Sequence, residues 1–240
     1  MGRQHTYDQR CGGRNPAQRR RLADAHPGLH VADGPVPADG ALLAVKPDVA
    51  ESVLRTLAAV GIRRVLSIVA GLSTARLEAA LQPGDVVVRA MPNTPSLVGS
   101  GVAGMAGGSA ATAADLEWAE AILGSVGTVV RLPERHLDAV TGVSGSGPAY
   151  IFLVAEAMIE GGVSAGLTRE VSRQLVVGTL LGSARMLAET GDDPAELRAA
   201  VTSPGGTTAA AVRTLEFKAV RSAFIEAVAA ATERSKQLGR

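Results

Sequence analysis

The sequence predicts an α/β domain on a parallel sheet, followed by an all-helical domain. Three observations carry that reading. Between Gly40 and Leu132, apolar runs of strand length alternate with stretches of helical period. After Pro133 no further strand run occurs, and helical stretches follow in series. The chain has 240 residues, and at about 150 residues per domain that allows one large unit or two small ones. The domains are set at 1–133, with 1–13 unplaced, and 134–240.

Met1–Gly13 has no usable hydrophobic period. Six of the first 21 residues are Arg and only Asp8 is acidic, which reads as a basic tail. Arg14-Asn15-Pro16 opens a helix through Leu22 and Ala25, stopped by Pro27-Gly28. Ala41–Val45 is a continuous apolar run ended by Lys46-Pro47, the form of a strand buried on both faces. Val49, Val53, Leu54, Leu57 and Val60 follow at helical spacing. Val65–Val69 is the next strand, closed by Gly71, and Ser73 can cap a helix carrying Leu77 and Leu81 before Pro83-Gly84. Asp85–Ala90 is a third strand and runs into Met91–Pro95, whose two prolines exclude a helix. A glycine-rich strand near Val102–Met105, a helix near Asp115–Leu123 and a strand at Thr128–Leu132 complete this half.

In the second half, helices are expected at Ala149–Gly162, Glu170–Thr190, Ala195–Val201, Thr208–Leu215 and Arg221–Leu238. They are rich in Ala and Gly and apolar over broad faces. A lone bundle of this size would leave much of that surface in water, so a second copy is expected to cover it.

Composition removes several classes. Basic and acidic residues number 24 and 23, a balance that gives no footprint for nucleic acid or a charged membrane surface. Aromatics make up 2%, too few for base-stacking platforms. No unbroken apolar run reaches the roughly 18 residues of a membrane span. Cys11 is the only cysteine, so an internal disulfide and a cysteine-cluster zinc site are impossible, and a reducing cytoplasm is the expected compartment.

Four irregular segments at the ends of regular elements are the places for chemistry. Val45-Lys46-Pro47 ends a buried strand, where ligands bind in open α/β sheets; taken by itself, the segment reads more simply as a plain strand-to-helix turn with a solvated lysine. Met91–Pro95 presents Asn93 and Thr94 on a stiff backbone, or is simply a rigid crossover. Gly142–Tyr150 alternates Gly and Ser before Pro148, which suits a cleft floor or a close-packed hinge. Ser203–Thr208 opens a helix whose amides, with two glycines and two threonines, suit a carboxylate; capping by Thr207 or Thr208 is the alternative. The four histidines lack metal-ligand spacing, the carboxylates show no catalytic pair, and Gly145-Ser146-Gly147 has no strand before it, unlike a hydrolase nucleophile turn.

Taken together, AVKP (Ala44–Pro47), RAMPNTP (Arg89–Pro95), AVTGVSGSGPAY (Ala139–Tyr150) and SPGGTT (Ser203–Thr208) resemble the pyrroline-5-carboxylate reductase family in order and spacing. Leu187–Gly191 fits as well. The resemblance covers about residues 14–240. It implies a Rossmann-like domain for NADPH or NADH and a C-terminal helical dimerisation domain. It implies reduction of the cyclic imine 1-pyrroline-5-carboxylate to L-proline, by hydride from the nicotinamide, with no metal. By the same resemblance, Gly205, Gly206, Thr207 and Thr208 hold the substrate carboxylate, and the Thr208 hydroxyl, as the catalytic group, meets the ring nitrogen. Val45, Lys46 and Pro47 border the cofactor, Ala70 and Asn93 lie near the nicotinamide, and Arg14 and Asn15 lie near the adenosine ribose. A basic group there leans toward NADPH. The implied assembly is a homodimer or higher oligomer, with no nucleic acid and no membrane.

The family begins with a strand and a G-x-G-x-x-G turn. Here Gly12-Gly13 has no strand before it, and a unit of roughly thirty residues is expected to be missing. A late gene start or a frameshift at the N-terminus is the expectation, and activity of the chain is expected to suffer. Phe217–Val220 also lacks the family's glycine-containing turn. Two other classes stay open. One is a non-catalytic dimerising remnant. The other is a reductase like the β-hydroxyacid dehydrogenases, which use a lysine on the helix after the Gly/Ser segment; Tyr150–Leu167 contains none.

Overall fold

The computed structural model describes residues 10–12, 16–25, 28 and 30–239. They fall into two units, Met1–Asp138 with Ser235–Arg240, and Ala139–Arg234. In the first, β1 (Arg10–Gly12) and β2 (His30–Ala32) pair in parallel with Cys11 opposite Val31, joined through α1 (Pro16–Ala25). This corrects the expectation of no strand ahead of Gly13. Three residues are too few for a two-residue alternation to register, so the pairing is invisible in the pattern.

The main sheet has five strands in sequence order: β3 (Ala41–Leu43), β4 (Arg64–Ser67), β5 (Val86–Met91), β6 (Gly101–Gly107) and β7 (Gly127–Arg131). The first three run parallel, β6 is antiparallel to β5, and β7 is parallel to β6. The sheet is thus mixed rather than wholly parallel. The link from Pro92 to Ser100 is shorter than the dozen or so residues a parallel crossover needs, so the chain turns straight back.

Side chains alternate across β4 and β5 as a two-residue period requires. Val65 and Val87 join a core with Leu54 and Leu57 of α2 (Pro47–Ala59) and Leu77 of α3 (Thr74–Glu78). Leu66 and Val88 join a second core with Met105 of β6 and Ala119 and Leu123 of α4 (Ala113–Gly124). Strand β3 departs from the expected two-sided burial: Leu43 is 2% exposed, but its neighbour Leu42 is 50% exposed. It is the terminal strand of this sheet, and one of its faces stays in water.

Local signals place the helix starts. Pro47 sits in the first turn of α2, where a missing amide hydrogen costs nothing. The Ser73 hydroxyl accepts from the Arg76 amide at 3.2 Å and caps α3, as expected. Thr112 and Asp115 form a reciprocal capping box on α4. Hydrogen bonds from the Thr112 hydroxyl and amide hold the Asp115 carboxyl below its usual range, against a smaller effect of burial. The Pro92–Pro95 segment does not stay fully extended: a 3₁₀ turn covers Thr94–Val98, with Pro95 in its first turn where proline is tolerated.

The second unit is helical. After α5 (Leu137–Val140) the chain makes a π-type turn at Thr141–Gly145, then α6 (Gly147–Ser164), α7 (Arg169–Thr190), α8 (Pro194–Ala200), α9 (Thr207–Phe217) and α10 (Val220–Leu238). Helices α6 and α7 pack together, yet α6 buries no residue fully and leaves Ile151, Phe152 and Leu153 at 50%, 61% and 66% exposure. Although no unbroken apolar run in the sequence is long enough, the helical stretch Glu134–Ser164 is long and apolar enough to cross a membrane. Between α9 and α10, Ala219 adopts a φ of 55°.

Candidate functional site

One row of residues runs across the three parallel strands: Leu43 faces Ser67, and Ser67 faces Arg89. The carboxyl ends of β3, β4 and β5 therefore emerge along one edge of the sheet. This edge carries Val45–Pro47 after β3, Ala70 after β4 and Asn93 after β5. Val45, Ala70 and Asn93 are half-buried, while Lys46 and Pro47 are exposed. Five of the seven residues assigned to the cofactor are thus brought to one edge by topology. The other two, Arg14 and Asn15, lie outside the described residues.

The edge is stiff. The Asn93 side-chain oxygen accepts from the Val102 amide at 2.9 Å and ties the Pro92–Pro95 segment to β6. Gly71, at φ 79°, lies against the end of α10: a Cβ there would stand 3.0 Å from the Leu238 carbonyl. Near that end the Ser235 hydroxyl donates to Asp138 at 2.7 Å. Only glycine accepts both that backbone angle and that approach.

A charged cluster adjoins the same turn. Arg89 is 8% exposed on β5 and pairs with Glu134 at 3.1 Å. Glu134 also accepts from the Thr74 amide and hydroxyl, each at 2.6 Å. Burial opposes its charge, but the bonds from Thr74 and Arg89 outweigh burial and hold its carboxyl below the usual range. These three residues are absent from the sequence-based site. A usable signal existed, because an arginine inside the strand Val86–Met91 requires a counter-charge. The identity of that partner depends on a contact 45 residues away.

In the helical unit, Ser203–Thr208 turns sharply into α9. Gly205 has φ 71°, and the Gly206 amide donates to the Ser203 carbonyl at 3.1 Å. The N-cap is Gly206, and no side chain makes a capping hydrogen bond. Capping by Thr207 or Thr208 is thereby set aside. The first amides of α9 stand at the positive end of the helix dipole, with Thr207 exposed and Thr208 half-buried. The Gly142–Tyr150 segment shows close packing. Gly142 is buried against α10, and the Tyr150 hydroxyl donates to the Gly142 carbonyl at 3.0 Å.

The sequence model for the pyrroline-5-carboxylate reductase dimerisation domain matches residues 134–238. A pyrroline-5-carboxylate reductase of Synechocystis is 49% identical over 201 residues, covering 83% of this chain and 74% of the relative. One from Corynebacterium melassecola is 41% identical over 239 residues, 96% of this chain and 88% of the relative. The chain belongs to the pyrroline-5-carboxylate reductase family. The fold agrees. The solved pyrroline-5-carboxylate reductase of Coxiella burnetii superposes with a TM-score of 0.88 at 36% identity, over 96% of this chain and 88% of that one. The Plasmodium falciparum reductase, solved with NADP bound, superposes with a TM-score of 0.82 at 33% identity, over 89% and 83%.

The described residues fit the nicotinamide end of a dinucleotide. Three successive strand ends stand side by side at this edge, and the central turn is held in place by the packing of Gly71 on Leu238. They do not supply a pyrophosphate turn. The spacing G-x-G-x-x-G does occur at Gly99–Gly104, but it leads into β6, not a helix, so no helix N-terminus stands behind it.

Proposed function

We propose that this reductase-family chain is an NAD(P)H-dependent oxidoreductase that reduces 1-pyrroline-5-carboxylate to L-proline. What carries the reading is family identity of 41% across 96% of the chain, a span that takes in both the sheet edge and the start of α9. When bound, the reduced nicotinamide supplies a hydride to the imine carbon. The chain's own work is placement.

Val45, Lys46, Pro47, Ala70 and Asn93 border the nicotinamide half, and Arg14 and Asn15 the ribose half. The fixed turns at Gly71 and Asn93 hold that edge without reorganisation. At α9, the amides around Gly205, Gly206, Thr207 and Thr208 receive the substrate carboxylate at the positive end of the helix dipole. The Thr208 hydroxyl hydrogen-bonds the ring nitrogen and keeps the imine oriented. The expected boundary at 133/134 moves to the end of Asp138: the unit Met1–Asp138 with Ser235–Arg240 carries the cofactor, and Ala139–Arg234 carries the substrate groups and the dimer contact. NADP in the Plasmodium relative supports NADPH over NADH.

We infer a homodimer through the helical half and a cytoplasmic location. The exposed Phe152 and Leu153 of α6 are the surface a second copy covers, and the same covering accounts for the apolar Glu134–Ser164 stretch without a membrane. Equilibrium titration of the full chain with NADPH tests the enzyme reading against a non-catalytic remnant. Binding in the micromolar range supports the enzyme; no binding at millimolar NADPH overturns it.

A further inference from the structure

We infer that Glu134 is a positioning residue for the cofactor: its carboxylate fixes the Ala70–Thr74 turn against the sheet edge. The inference rests on the reading that Ala70 borders the nicotinamide. Glu134 stands on the turn after β7, far from that edge in sequence. Its two oxygens take both hydrogens of Thr74, the amide and the hydroxyl, at 2.6 Å each. Thr74 is the first residue of α3, so the carboxylate sits where the helix dipole favours negative charge. Arg89 anchors the carboxylate in turn from a strand position with a side chain only 10% exposed.

The turn has little freedom elsewhere. It spans four residues between Val69 and Thr74. At its start the Val69 amide donates to the Ser67 hydroxyl at 3.3 Å. In its middle Gly71 is backed by Leu238. At its far end Glu134 takes both Thr74 hydrogens. Releasing that end loosens the first turn of α3 and, through the short turn before it, Ala70; α3 is only five residues long, and its other ion pair, Arg76 with Glu51 at 2.9 Å, ties it to α2 and not to the sheet edge. A shift there loosens the cofactor and leaves the helical unit's substrate groups alone.

The test compares steady-state constants of the full chain with those of Glu134→Gln and Thr74→Val. The second variant keeps the Arg89–Glu134 pair and guards against a fold lost to an unpaired buried arginine. Glu134→Gln is expected to raise the KM for NADPH about tenfold, and Thr74→Val by a smaller factor, while the KM for the imine moves less than about twofold. Amide exchange in the 70–74 segment should quicken in both. An unchanged KM for NADPH in both variants overturns the inference. So does a parallel rise in both constants with a lowered melting temperature, which is general destabilisation. Ala70→Leu separates the underlying reading: an NADPH constant indifferent to that change overturns the cofactor edge itself, and this inference with it.

Discussion

Thr74 gives both its amide and its hydroxyl hydrogen to Glu134, 60 residues further along the chain, and each bond is 2.6 Å long. The folded state thus holds the Glu134 carboxyl below its ordinary value of 4.5. A lowered folded pKa adds stability that is complete above the unfolded value and disappears as pH falls through the folded one. Glu134→Gln should therefore be less stable at neutral pH by about 1–3 kcal/mol. The gap should narrow below pH 4.5. Urea midpoints of the two proteins at neutral and acid pH measure it; a gap that does not change with pH would remove the charge from the explanation.

Ala219 occupies left-handed backbone at φ 55°, the only described residue other than glycine that does so. The family's glycine-containing turn is missing at this point, and the structure shows what glycine would relieve. Ala219→Gly should stabilise the protein by about 1 kcal/mol, since the left-handed penalty exceeds the added freedom of the unfolded chain. Thermal melting decides the sign.

Gly142 touches α10 so closely that a Cβ would stand 2.7 Å from the Val228 carbonyl oxygen. Backbone does not yield as a side-chain tip does. Gly142→Ala should cost about 1–3 kcal/mol. A variant as stable as the parent would mean that α10 shifts freely.

The apolar surface of α6 bears on assembly. Phe152→Glu with Leu153→Glu should shift the full chain from dimer to monomer in sedimentation, because two buried, unpaired charges oppose association. An unchanged dimer would place the contact on another face.

Most of this fold is legible in the sequence because the apolar runs are local. Strands β4, β5 and β7 and helices α2, α4, α6 and α7 fall within a few residues of their expected bounds. What is hidden is whatever depends on a partner. The pairing of Cys11 with Val31 and the antiparallel run of β6 are set by register and loop length, not by period. The site divides the same way. Val45 and Asn93 are singled out by their place after strands and Ala70 by the family resemblance, and topology alone brings these three strand ends to one edge. The Glu134–Thr74–Arg89 cluster is not legible in the sequence, because only folding brings a post-strand carboxylate to a helix start. Gly206 shows a third case: both the glycines and the threonines of Ser203–Thr208 fit a helix start, and only the backbone decides that glycine takes the cap.

The most direct measurement is NADPH oxidation by the full chain with and without 1-pyrroline-5-carboxylate, with L-proline assayed as product, repeated on Thr208→Ala. The account predicts oxidation that depends on the imine, stoichiometric proline, and a rate about a hundredfold lower in the variant. Imine-independent oxidation, no proline, or a Thr208→Ala protein at full rate would contradict it.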